Sequence, residues 1–119
     1  MDKKEVLKVL KNVYDPEYPV SIIELGIVKE EDITINDNKI IIQFTPTSPL
    51  CPMGGVIGIV IKYALEKEFG KEVEVKVKPG THAEESLLNN LLQDRKKFEE
   101  SVNRLKESGL LDVCINLNQ

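Results

Sequence analysis

Residues 53–78, MGGVIGIVIKYALEKEFGKEVEVKVK, leave few folds open to this chain. The first part is rich in β-branched residues, which favour strands. Yet Met53, Val56, Ile57, Val60, Ile61, Ala64 and Leu65 recur at helical spacing, and no breaker intervenes before Gly70. The spacing predicts a helix over 53–69 that is apolar on more than one side, and so buried on more than one side. After Gly70 the period drops to two. Val73, Val75 and Val77 alternate with charged residues, which predicts a half-buried strand. A buried helix running into a strand calls for a sheet beneath it.

The sequence supplies one. Ile33 and Ile35 alternate with polar residues, "NDNK" has turn chemistry, and Ile40, Ile42 and Phe44 share one face of "IIIQFT". This pattern predicts a β-hairpin turning near Asn36–Asn38. Upstream, Val6, Leu7, Val9, Leu10 and Val13 form a helical stripe over 3–13, which ends before "DPEYPVS" because a proline disfavours helix in the preceding residue. "SIIELG" reads as one turn closed by Gly26. Beyond "PGTH", Thr81 and Glu84 have the spacing of a capping box. Leu88, Leu91, Leu92, Arg95, Phe98, Val102 and Leu105 then continue a helical stripe, as one helix or as two broken near Asp94, closed by Gly109. The tail "LDVCINLN" alternates, with Leu111, Val113, Ile115 and Leu117 on one side and Cys114 on the other, a pattern that fits a final strand added to this sheet or to a partner's. The predicted fold is α+β: a two-layer sandwich with a helix–β-hairpin–helix–strand core and a C-terminal helical extension. The other face of the sheet is solvated, covered by the arm, or buried in an oligomer.

Composition narrows the function classes. The 119 residues suit one domain, and 41 % hydrophobic with 30 % charged residues describes a soluble globular chain. A net charge of −4 gives no general attraction for nucleic acid or an anionic membrane surface. No apolar run approaches the ~20 residues of a membrane span, and "MDKKEVLKVLKN" lacks the pattern of a signal peptide. The expectation is a cytoplasmic protein whose two cysteines, Cys51 and Cys114, are free thiols.

Between the hairpin and the long helix lies "TPTSPLCPMGG", residues 45–55. Proline is favoured at the first helical position, so Pro52 there makes Cys51 the N-cap. The unpaired amides and dipole of that helix end favour a thiolate, the form that acts as nucleophile or metal ligand. The bland alternative is a cysteine that only packs. Asp15 and Glu17 in "DPEYP" form a second cluster, although Asp before Pro is also ordinary turn chemistry. Thr45, Thr47 and Ser48 place hydroxyls near the thiol, where they could equally cap or turn the chain. His82 stands alone and reads as a surface residue, and Cys114 has nothing catalytic near it in sequence. There is no phosphate loop, CxxC or HExxH. An iron–sulfur cluster commonly takes four protein ligands, so a cluster on Cys51 would need ligands from a second chain, a small thiol or a carboxylate.

"DPEYPVSIIELGIV", a hairpin, "FTPTSPLCPM", a helix and an alternating strand together resemble the metal–sulfur cluster assembly domain of the SufT and PaaD type. Eukaryotic relatives of that domain serve cytosolic iron–sulfur protein assembly. The resemblance covers residues 3–80, and the remainder, 81–119, resembles the C-terminal extension of archaeal members within the same globular unit. It implies a fold similar to the C-terminal domain of NifU-type scaffolds and a non-enzymatic role in maturing iron–sulfur proteins, as carrier, scaffold or targeting factor. The family's motif thiol falls on Cys51, its motif acid on Asp15 with Glu17 beside it, and its hydroxyl on Thr45 or Thr47. A labile cluster or iron would then be held transiently by Cys51, with Asp15 as an oxygen ligand or as the residue that orients the loop. The implied partners are the assembly machinery, client apoproteins and a P-loop ATPase carrier, with a homodimer as one way to complete a ligand shell. The rival reading is a metal-free adaptor that docks such a carrier through the "DPE" and "CPM" loops. A thiol enzyme using Cys51 is the weakest, because no base accompanies the thiol.

Overall fold

A computed structural model describes residues 2–15, 20–46 and 54–115 of the chain. Helix α1, Lys3–Leu10, starts at Asp2, whose carboxylate accepts a hydrogen bond from the Glu5 amide at 3.0 Å. It buries Val6 and Leu10 and stops there. The predicted helix overran this end, because Val13 continues the apolar stripe. In the fold Val13 has left the helix and pairs in an isolated β-bridge with Ile115.

Residues 21–27 make the compact turn read from "SIIELG". Gly26 sits at φ +75°, and the Ile27 amide reaches back to the Ile22 carbonyl at 3.0 Å. Strands β1, Ile33–Asn36, and β2, Lys39–Phe44, then pair antiparallel, with Asn36 opposite Lys39 across the two-residue turn. Helix α2, Gly54–Phe69, crosses over to β3, Glu72–Val77, which pairs parallel to β2 in the order β1-β2-β3. Cross-strand rows of Ile33, Ile42 and Val75, and of Ile35, Ile40 and Val73, line the inner face, with Phe44 opposite Val77. The opposite face is polar and half-exposed. There Lys39 and Lys76 each lie 3.2 Å from the Glu74 carboxylate.

Every residue of α2 from Ile57 to Lys62 is buried, as a helix enclosed on several sides requires. Gly58 explains the close packing. A Cβ there would lie 2.9 Å from Leu92 Cδ1 and 3.0 Å from the Phe44 ring, so a larger residue would push α2 off the sheet and the arm.

The C-terminal arm consists of α3, Glu85–Gln93, and α4, Arg95–Ser108, broken at Asp94. Asp94 ends the first and caps the second, its carboxylate accepting from the Lys97 amide at 3.1 Å. Asn89 Oδ1 takes the Val77 amide at 2.8 Å, which fastens α3 to the end of β3. Arg95 grips Glu66 of α2 with two bonds of 3.0 and 2.7 Å. The capping box predicted at Thr81 does not form. Gly80, at φ +80°, turns the chain so that the Thr81 hydroxyl donates back to the Lys78 carbonyl at 2.6 Å, and α3 begins only at Glu85. His82 Nδ1 accepts from the Glu84 amide in the same turn.

The tail also departs from expectation. Gly109, at φ +81°, ends α4, and Leu110–Cys114 form a short helix, α5, rather than a strand. Leu111 and Cys114 are three residues apart and both face inward, while Val113 is exposed. Only Ile115 keeps the strand character, in its bridge to Val13. Among the described residues no helix is long and apolar enough to cross a membrane.

Candidate functional site

The acidic motif residue is built into the fold by backbone pairing. Residues 13–15 run as a short extended segment between two others. On one side the Asp15 amide donates to the Val20 carbonyl at 3.1 Å, and Ile22 donates to Val13 at 3.0 Å. On the other side the Tyr14 amide donates to the Cys114 carbonyl at 2.7 Å. The two ends of the segment holding Glu17, residues 15 and 20, are thus bonded together. Asp15 is 2 % exposed.

The same bonding reaches the strand end from which the cysteine loop departs. Ile22 accepts from Ile27, and Ile27 in turn accepts from the Thr45 amide at 2.9 Å. Phe44 accepts from Lys78 at 2.8 Å. Thr45 is therefore fixed by its backbone at the end of β2, with its side chain half-buried. Asp15 and Thr45 are tied to one another through the 20–27 turn. Cys51, Glu17 and Thr47 lie outside the described residues, as does the predicted cap at Cys51 and Pro52.

Where the sequence saw only an isolated Cys114, the structure places it beside Asp15. The thiol is fully buried. Burial, and then the nearby Asp15 charge, push its pKa up to about 11. The strand reading had concealed this, because it turned Cys114 away from the apolar side. The one available signal was the helical spacing of Leu111 and Cys114. A thiol so protonated is a poor nucleophile and a poor metal ligand.

Two consequences can be measured. In the native protein Cys114 is expected to resist alkylation at pH 7–8 and to react only on unfolding. Its folded pKa is raised, so the stabilisation is fully present below the unfolded value near 9 and is lost as pH climbs through about 11. The loss amounts to about 2–3 kcal/mol. The Cys114→Ala variant should lack that part of the alkaline slope in urea denaturation, and an unchanged slope would contradict the assignment.

Among the described residues no group of three or more His, Cys, Asp or Glu side chains could hold a metal ion. With Cys114 held as a thiol, these residues do not fit a resident cluster. Any ligand set must include residues outside them, and the sequence points to Cys51.

A three-stranded sheet with its helices on one face thus carries an acidic turn bonded to the strand end that precedes a cysteine loop. The chain matches the family described as iron–sulfur cluster assembly protein over residues 3–78, and it belongs to that family. It is 36 % identical over 118 residues to the MIP18 family protein galla-2 of Drosophila melanogaster, covering 96 % of this chain and 76 % of that one. To the cytosolic iron-sulfur assembly component 2B of Dictyostelium discoideum it is 33 % identical over 124 residues, covering 98 % and 75 %. Both matches run on through the C-terminal arm, beyond the end of the family match. A crystal structure of a domain of unknown function from Bacillus anthracis is similar in fold, with a TM-score of 0.60 and 28 % identity over 85 % of this chain and 91 % of that one.

Proposed function

We propose that this chain is a non-enzymatic factor in the maturation of iron–sulfur proteins that carries iron or a labile cluster as cargo, with Cys51 as the thiolate that holds it. The observation that carries the reading is the bonded path from Asp15 through residues 20–27 to Thr45, which ties the acidic motif to the strand end preceding Cys51. Both motifs fall within the family match at residues 3–78. On this reading Asp15 orients the loop or lends an oxygen, and Glu17, Thr45 and Thr47 support the site. Hydroxyl hydrogen bonds to sulfur tune such ligands.

Relatives named cytosolic iron-sulfur assembly component 2B, in Dictyostelium discoideum and Mus musculus, support a place in the cytosol alongside the assembly machinery. A P-loop ATPase carrier and client apoproteins are the partners this role calls for, and a second copy of the chain could complete the ligand shell. The narrower kinship with SufT- and PaaD-type proteins of archaeal kind is part of the same proposal and rests on the two motifs.

The test is anaerobic loading with iron and sulfide of the wild type, Cys51→Ala and Cys114→Ala, reading absorption and bound iron per chain. Loss of iron confined to Cys51→Ala is the expected result. No iron on any of the three would overturn the carrier role and favour a metal-free adaptor. Equal loss in both variants would remove Cys51 from its special place.

A further inference from the structure

We infer that the tip of the C-terminal arm, Leu111–Ile115, is the positioning element for Asp15. Iron handling by the motif site then depends on a segment beyond the family match at residues 3–78. The inference rests on the proposed reading of Asp15 as part of that site, and it assigns the arm a task there.

No regular element holds Asp15. Helix α1 ends at Leu10, and the first sheet strand begins at Ile33. Residues 13–15 are held instead as the middle rung of a three-part backbone ladder. One outer rung, residues 20–22, is a near neighbour in the chain and turns with it. The other, Cys114 and Ile115, comes from the far end. It supplies the 2.7 Å bond from Tyr14 and the bridge to Val13. Without it, the residues before Asp15 keep bonds on one side only.

The tip is anchored independently of the ladder. Gly109 turns the chain, the Leu110 amide bonds to Ser108 Oγ at 3.3 Å, and Leu111 is buried in the core. Cys114 is wholly buried, its carbonyl bonds to the residue before Asp15, and Asp15 is itself 2 % exposed, so the tip closes that side of the segment from water. A small uncharged side chain at 114 fits that closed side. A carboxylate there would oppose Asp15 at short range in a region of low polarity, where like charges repel strongly.

The experiment uses the full-length chain carrying Cys114→Asp, with Cys114→Asn as the uncharged control of similar size. Leu111→Ala loosens α5 without adding charge, should Cys114→Asp fail to fold. Three quantities are read: amide hydrogen exchange at Tyr14 against Val75, the carboxyl carbon-13 shift of Asp15, and iron bound after anaerobic loading. In Cys114→Asp, Tyr14 exchange should rise about tenfold or more while Val75 is unchanged, as for a local opening. The Asp15 shift should move, and bound iron should fall by more than half, with Cys114→Asn close to wild type in all three. Leu111→Ala should change them in the same direction. Wild-type exchange at Tyr14 in Cys114→Asp and Leu111→Ala would overturn the clamp. Faster exchange with iron uptake unchanged would reduce the tip to a structural prop and overturn the positioning role. If the wild type binds no iron, the carrier reading fails by itself. The Asp15 shift then decides the clamp, and an unmoved shift would sink it.

Discussion

Replacing Phe44 by alanine is expected to lower the unfolding free energy by about 3–5 kcal/mol, the range for a large aromatic removed from a closed core. A chain of this length is stable by only about 6–18 kcal/mol in all, so the loss is a large share. Phe44 is fully buried where β2, α2 and α3 meet. Its backbone ends β2, its carbonyl takes the Lys78 amide, and its ring lies 3.0 Å from the position a Gly58 Cβ would occupy. Collapse into the vacated space would need α2 to move toward β2, and the Leu92 side chain packed at the same Gly58 position leaves little room for that. Urea denaturation should show a lower midpoint at unchanged slope. Phe44→Leu should cost far less. A change under about 1 kcal/mol for Phe44→Ala would mean that the ring does not fill the core as described.

Lys62→Ala should cost about 2–3 kcal/mol, through a hydrogen bond rather than a cavity alone. Lys62 stands on the buried side of α2, 7 % exposed, and its ammonium donates to the Leu92 carbonyl at 2.7 Å. That carbonyl is one of the last in α3, which the helix itself leaves without a partner, and the positive charge meets the negative end of the helix dipole. The Phe98 ring lies beneath the ammonium, with its centroid 4.9 Å away. Burial lowers the pKa of Lys62, and the Glu66 carboxylate opposes the shift. A depressed lysine binds fewer protons folded than unfolded, so its contribution improves as pH rises through the folded value toward 10.5. Lys62→Met keeps the stem and removes the charge. It should fall between wild type and alanine near neutrality and lose the alkaline gain. If Lys62→Met matched wild type in both stability and pH response, the bond to Leu92 would carry no weight.

The elements with sustained period were legible in the sequence. The hairpin, β3 and α2 follow from Ile40, Ile42 and Phe44, from the three valines, and from seven apolar residues at helical spacing. The arm was legible as one helix or two, and it is the Asp94 cap on the helix after it that makes it two. Residues 110–115 were not. Over so few residues, alternation of Leu111, Val113 and Ile115 and helical spacing of Leu111 and Cys114 fit equally well, and only tertiary burial decides. The candidate site divides in the same way. Its motif residues could be named from the chain, yet the segment that pairs with the residues before Asp15 is 114–115, and no local pattern reports a pairing of that separation.

The bridge between Val13 and Ile115 also has a consequence for how the protein is made. A growing chain can complete its hairpin, and then its parallel pair, while synthesis continues. The surroundings of Asp15 cannot be finished until Ile115 has left the ribosome, because part of their hydrogen-bonding frame lies far along the chain from them. Closing so long a loop also costs entropy that shorter contacts do not. The acidic motif is therefore incomplete until residues 114 and 115 have emerged, and a shorter nascent chain cannot present it in its finished form to metal or to a partner.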